Sequence, residues 1–142
     1  MREYRGKRID NGEWVYGWYL LDEQWKEPRH CIYFRKNTRN IIGHDIVEVD
    51  PDTVGQYIGQ RDCNDKQIFD GDIATGEHAT YLIYWREDKA QYMAKVIKTT
   101  SVLIRHNSFP LWQYIEDNDK CRFEVIGNRW DHPHLLGEVT EK

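Results

Sequence analysis

Apolar and polar residues alternate with a period of two along most of this chain, in runs broken by Gly, Pro, Asn and Asp. That period places successive side chains on opposite faces of a β-strand. The clearest run is Trp14–Leu21, where Trp14, Tyr16 and Trp18 face one way and Val15, Tyr19 and Leu21 the other. Both faces are apolar, which predicts cover on both sides. Further strands are predicted over Tyr4–Ile9, Cys31–Phe34, Ile41–Val49, Thr53–Ile58, Ile73–Thr75, Ala79–Trp85, Gln91–Ile97, Thr99–Ile104 and Phe123–Ile126. Asp10-Asn11-Gly12-Glu13 reads as a hairpin turn with positive φ at both Asn11 and Gly12. Gly43 reads as a bulge, and Asp50-Pro51 ends its strand because proline has no amide for the ladder. The period changes at Leu111–Glu116, where Leu111, Trp112 and Ile115 share a helical stripe after Pro110. Arg129–Leu136 reads as a second short helix, limited by Pro133.

Short strands at this spacing predict a mainly β fold, with antiparallel barrel-like sheets and one or two short helices. The chain reads as one domain over residues 1–142. A weak seam near Asp62–Lys66 divides an N-terminal β-sheet region, residues 1–62, from a C-terminal small β-barrel, residues 63–142. The second half has an SH3-like flavour, from the Gly71-Asp72 corner followed by three or more short strands.

Composition narrows the function classes. A chain of 142 residues buries roughly two thirds of its unfolded surface and needs no disulfide or metal to fold. Charged residues make up 31%, yet an aromatic content of 13%, with six Trp and nine Tyr, argues against disorder. Net charge is −4, so no overall basic field advertises nucleic acid or an anionic membrane. Cys31, Cys63 and Cys121 form an odd, dispersed set, expected as reduced thiols in a cytosol. No apolar run follows the amino-terminal residues and none approaches the ~20 residues of a membrane span, so neither a signal peptide nor a membrane partner is expected.

Candidate chemistry is thin. Asp62, Asp65, Asp70 and Asp72 form a carboxylate cluster, but without EF-hand order, and Asp at turns bonds backbone amides. His132 and His134 straddle Pro133, and with His30 or Cys121 they lack the paired short spacings of a zinc site. Cys31 beside His30 fails as a nucleophile–base pair, because strand neighbours point apart. Ser101 or Ser108 with His106 and Asp117 lacks a nucleophile elbow. No phosphate-cradling glycine loop is present. We therefore expect no catalytic residue, metal or cofactor. Two surfaces remain. Arg2, Arg5, Lys7 and Arg8, interleaved with Tyr4, form a basic cluster that a nucleic acid would contact. Set against it are the acidic run Glu116–Asp119 and the ordinary use of basic residues to guard a strand edge. Trp14, Tyr16 and Trp18 read as an interface, because rings on both strand faces are more than one small sheet covers.

Four stretches also carry a family resemblance: Arg5–Gly17, Val49–Gly59, Gln67–Ile73, and Phe123–Asn128 with Pro133, Leu135 and Leu136 after it. In this order they resemble the YopX family of phage and prophage proteins. Cys63 departs from the pattern, in a turn where the family commonly has a charged residue. The resemblance implies a small, mostly β protein of bacteriophages or of prophages in Gram-positive bacteria, at work in the host cytoplasm. It brings no activity and no catalytic residues. The expected role is a non-enzymatic accessory protein that assembles with itself, with closed symmetry, or with a phage or host protein. The alternative is a nucleic-acid-binding module in phage replication or gene control. A hydrolase or nuclease using the Asp62–Asp72 carboxylates is the third class.

Overall fold

Extended segments become stable only when neighbours take up their amides and carbonyls. The alternating runs do this as antiparallel strands in the computed structural model, which describes residues 3–38, 41–105, 107–116 and 120–136. The chain divides into two units, Met1–Tyr57 and Ile58–Lys142. The expected seam at Asp62–Lys66 falls inside the second unit, where it forms a turn.

In the first unit, β1 (Tyr4–Lys7), β2 (Trp14–Asp22), β3 (Arg29–Thr38) and β4 (Ile41–Glu48) form a meander in the order β4-β3-β2-β1. The start of β5 (Gly55–Arg61) pairs with the free side of β1, Tyr4 opposite Gln56 and Arg5 opposite Gly55. One face buries Val15, Ile32 and Val49, with Tyr4, Tyr19, Phe34, Val47 and Val54 packed around them. The Asp50–Thr53 corner ties β1 down through side chains. Asp50 accepts the Asp52 amide at 3.0 Å, and the Thr53 hydroxyl donates to the Asp50 carbonyl at 2.7 Å while accepting the Lys7 amide at 2.8 Å. The β1–β2 turn differs from expectation, because of the two central residues only Gly12 has positive φ. Its amide reaches back to the Arg8 carbonyl, giving a longer loop than a two-residue turn. Gly43 is not a bulge, since β3 and β4 stay in register through Lys36 opposite Gly43.

In the second unit, β6 (Gln67–Phe69) follows the end of β5. A five-stranded sheet then takes the order β10-β9-β8-β7-β11, built from β7 (Asp72–Thr75), β8 (Ala79–Arg86), β9 (Gln91–Thr99), β10 (Ser108–Pro110) and β11 (Glu124–Asn128). The fold is mainly β, as expected, but the sheet is open and no barrel closes among the described residues. Its edges are poor templates for closure: β10 is three residues long and ends in a proline, and β11 carries a register shift between Val125 and Gly127. Ile58, Ile68, Ile83, Val96, Leu111, Cys121 and Phe123 lie in its main core. Ile73, Leu82 and Ile97 form a smaller cluster capped by Leu135 and Leu136.

Three predicted elements come out differently. Thr99–Ile104 is the end of β9 followed by a turn, where the Thr99 hydroxyl takes the Ser101 amide. The predicted helix Leu111–Glu116 is a 3-10 turn over Leu111–Tyr114, because Ile115 bridges to Cys121 and Arg122 donates its amide to the Tyr114 carbonyl. Arg129–Leu136 shortens to a 3-10 turn over Pro133–Leu135, since Asn128 already holds the Trp130 and Asp131 amides with its side-chain oxygen at 3.0 and 2.9 Å.

Asp62 fixes the second unit most firmly. It is 1% exposed. One carboxylate oxygen accepts the Asn64 and Lys66 amides at 2.9 and 2.8 Å, and the other accepts the Val125 amide at 2.9 Å. Losing such charge-assisted bonds leaves buried amides unmet. We expect Asp62→Ala to lower stability by about 3 kcal/mol, read as a lower urea midpoint and faster hydrogen exchange at the Val125 amide. Asp62→Asn, which keeps one acceptor oxygen, should recover part of the loss.

Candidate functional site

The outer face of the first unit's sheet brings the two expected surfaces together. On paired β1 and β2, Lys7 lies opposite Trp14 and Arg5 opposite Tyr16. The basic strip and the rings therefore form one surface. Arg5 is buried, its guanidinium carbon 4.5 Å from the centre of the Trp14 ring, and the Lys7 ammonium lies 5.5 Å from the same centre. Cations held over an indole face are attracted by its negative π cloud. Arg8 forks onto Asp10 with bonds of 2.9 and 2.8 Å. Arg2 lies outside the described residues. The basic cluster is thus largely committed to neighbours within the chain.

The rings extend further than the sequence indicates. Trp18 faces Tyr33 across β2–β3, and Tyr33 faces Ile46 across β3–β4. Tyr33 also stacks on His44, with ring centres 5.1 Å apart and planes 10° from parallel. Tyr16, Trp18 and Ile46 remain 44%, 41% and 52% exposed. The cover predicted for both faces of β2 is therefore present on the Val15 side only. Exposed Arg35, His44 and Glu48 share this face with the row and bring both signs of charge, while Lys36 and Asp45 alternate to the other face. Tyr33 and Ile46 escape sequence reasoning because the polar Asp22–Pro28 loop hides the register that aligns them with Trp18.

The candidate reactive groups serve architecture. Asp72 is buried and accepts the Phe69 amide at 2.8 Å. Gly71 between the acids has φ of +91°, and a Cβ there would collide with the Trp130 ring. His132 accepts the Asn128 amide at 3.2 Å through Nδ1, with its ring centre 6.1 Å from that of His134. His30 contacts the Tyr19 hydroxyl, while Cys31 sits in the next register position. Burial raises the Cys31 and Cys121 thiols above their ordinary value, away from the thiolate a nucleophile needs. Cys63 is exposed, and all three cysteines are free. Ser108 accepts a bond from the Tyr84 hydroxyl, and His106 and Asp117 lie outside the described residues. Among the described residues no three His, Cys, Asp or Glu side chains gather as a metal site.

Asp50, Asp62, Gly71 and Asp72 thus hold turns, and a family profile described as YopX protein matches residues 3–137. The chain belongs to the YopX family. No curated protein matches it. The YopX stretches map onto the β1–β2 loop, the Asp50–Thr53 corner, the Gly71 corner and β11 with its Asn128 cap. These are the places where this YopX fold turns its chain. Among the described residues no helix is long and apolar enough to cross a membrane.

The Arg8–Asp10 fork has a measurable signature. The Arg8 hydrogen bond holds the Asp10 carboxyl below its ordinary value. A lowered carboxylate contributes stability that is present above the unfolded value and is lost as pH falls through the folded one. In a carbon-detected NMR titration, Arg8→Ala should move the Asp10 midpoint up towards that of a free aspartate.

Proposed function

We propose that this YopX-family protein is a non-enzymatic phage or prophage accessory protein. On this reading it works in the host cytoplasm by assembling with copies of itself through the outer face of β2, β3 and β4. The supporting observation is the continuous row Trp18, Tyr33 and Ile46, flanked by Tyr16, on an exposed sheet face. Such a row is costly to leave in water. A second copy is the favoured occupant because the same face carries Arg35 and Glu48, one charge of each sign. A two-fold contact places a patch on itself, so its rim must supply both partners of every charge pair. A phage or host protein on the same face is the variant of this reading that capture from infected cells separates.

Nucleic-acid binding has weaker support. The rings suit base stacking, but Arg5 is buried and Arg8 is paired with Asp10. A salt-sensitive electrophoretic shift with single-stranded oligonucleotides would favour it.

For self-assembly, light scattering should report a multiple of the 17.1 kDa chain mass. The double variant Trp18→Glu, Ile46→Glu should fall to the monomer with an unchanged circular dichroism spectrum. A wild-type monomer at every concentration tested removes the reading.

A further inference from the structure

The exposed row on the first unit's sheet is flanked unequally along the strands. Register puts Trp18 beside Tyr33 and Tyr33 beside Ile46, so the row runs across β2, β3 and β4. Side chains on one face of a strand recur at every second residue. One such step from the row in one direction, the face carries Arg35 opposite His44. One step in the other direction it carries Cys31 opposite Glu48. Arg35, His44 and Glu48 are exposed, whereas Cys31 is buried. The row therefore separates a basic side from an acidic side, each about 7 Å from it, the rise of two strand residues.

Both charges are within reach of a facing sheet. Sheets packed face to face lie about 10 Å apart, a gap that an arginine from one side and a glutamate from the other span together. Glu48 has Arg29 as a neighbour in its own chain, but the nearest nitrogen, Nε, is 3.8 Å away and the Glu48 side chain stays 40% exposed. That separation is too long for a hydrogen bond. A carboxylate also offers about four acceptor positions, so Glu48 has room for a second guanidinium. His44 is held flat on Tyr33 and stays on the Arg35 side. A two-fold axis between two such faces has two choices of direction. Running along the strands, it sets each side of the row on itself, Glu48 against Glu48 and Arg35 against the basic side. Like charges juxtaposed across an interface cost affinity. Running along the row, it reverses strand direction, so the basic side of each copy meets the acidic side of the other. Arg35 and Glu48 stand on adjacent strands, and the offset between them is one strand spacing, about 4.8 Å.

We infer that two copies of this chain pack face to face about a two-fold axis lying along the Trp18–Tyr33–Ile46 row, with Arg35 of each copy paired to Glu48 of the other. This arrangement rests on the self-assembly proposed above and gives it a direction. Trp18, Tyr33 and Ile46 each meet their own counterparts on the axis, and the two ion pairs close the contact on either side of them. The apolar row supplies the area that draws the copies together, and the charges select one of the two ways in which the rows can be laid on each other.

The test is sedimentation equilibrium of the full chain as wild type, as Arg35→Glu, as Glu48→Arg and as the double reversal Arg35→Glu, Glu48→Arg. Each single reversal turns both ion pairs into like-charge pairs and should raise the dimer dissociation constant about tenfold or more. The double reversal restores opposite charges at both places and should return the constant towards wild type. With the axis along the strands, the double reversal would instead leave each side of the row facing its own sign and would rescue nothing. Added salt should weaken the wild-type dimer, because the pairs lie at the exposed margin of the contact. Circular dichroism should be the same for all four chains. A dimer that the single reversals leave intact, that the double reversal fails to restore, or that salt does not touch overturns this axis while assembly through the face stands. A wild-type chain that stays monomeric overturns both.

Discussion

Backbone amides that reverse direction inside a small β protein must find acceptors that no neighbouring strand supplies, and buried carboxylates meet that need here. Asp62 is the strongest case. It draws together the turn that follows β5 and the start of β11, which lies 63 residues further along the chain. Asp72 does the same for Phe69, and in the first unit the exposed Asp50 carboxylate and the Thr53 hydroxyl take the Asp52 and Lys7 amides. An ionised oxygen accepts several amides at once, so one short side chain fixes a corner that a hydrophobic contact would leave loose.

Two populations of aromatic residue follow from this scaffold. Tyr81 and Phe123 fill the second unit's core, and Tyr4, Tyr19 and Phe34 pack around the core of the first. Tyr16 and Trp18 point outward on a sheet whose other face is already satisfied. Strand alternation makes the two sets inseparable. Filling one face of β2 with Val15 and Tyr19 places the next residues opposite, and in this chain those are rings. The outward rings draw Arg5 and Lys7 over Trp14, so the strand that looks basic in sequence is partly a lid over an indole.

The corners were legible in the sequence because their chemistry is local: Asp50-Pro51 and Asp70-Gly71-Asp72 announce turns through residues a few positions apart. The mainly β character was legible from the same alternation. Barrel closure was not, since it depends on whether distant edges meet, and Pro110 and the shift in β11 act there. Leu111–Tyr114 carries a helical stripe, yet pairing of Ile115 with Cys121 outcompetes a second helical turn. The row Trp18–Tyr33–Ile46 was hidden for a related reason: it joins residues from three strands whose register is set only after folding.

The position of Cys63 gives the scaffold a handle. Its amide is fastened to the Phe123 carbonyl, directly after Asp62, while its sulfur faces water. Cys31 and Cys121 are enclosed, and burial makes their thiols harder to ionise. A maleimide dye added to the native protein would therefore label a single position without any engineering, and would report from the very corner that anchors β11.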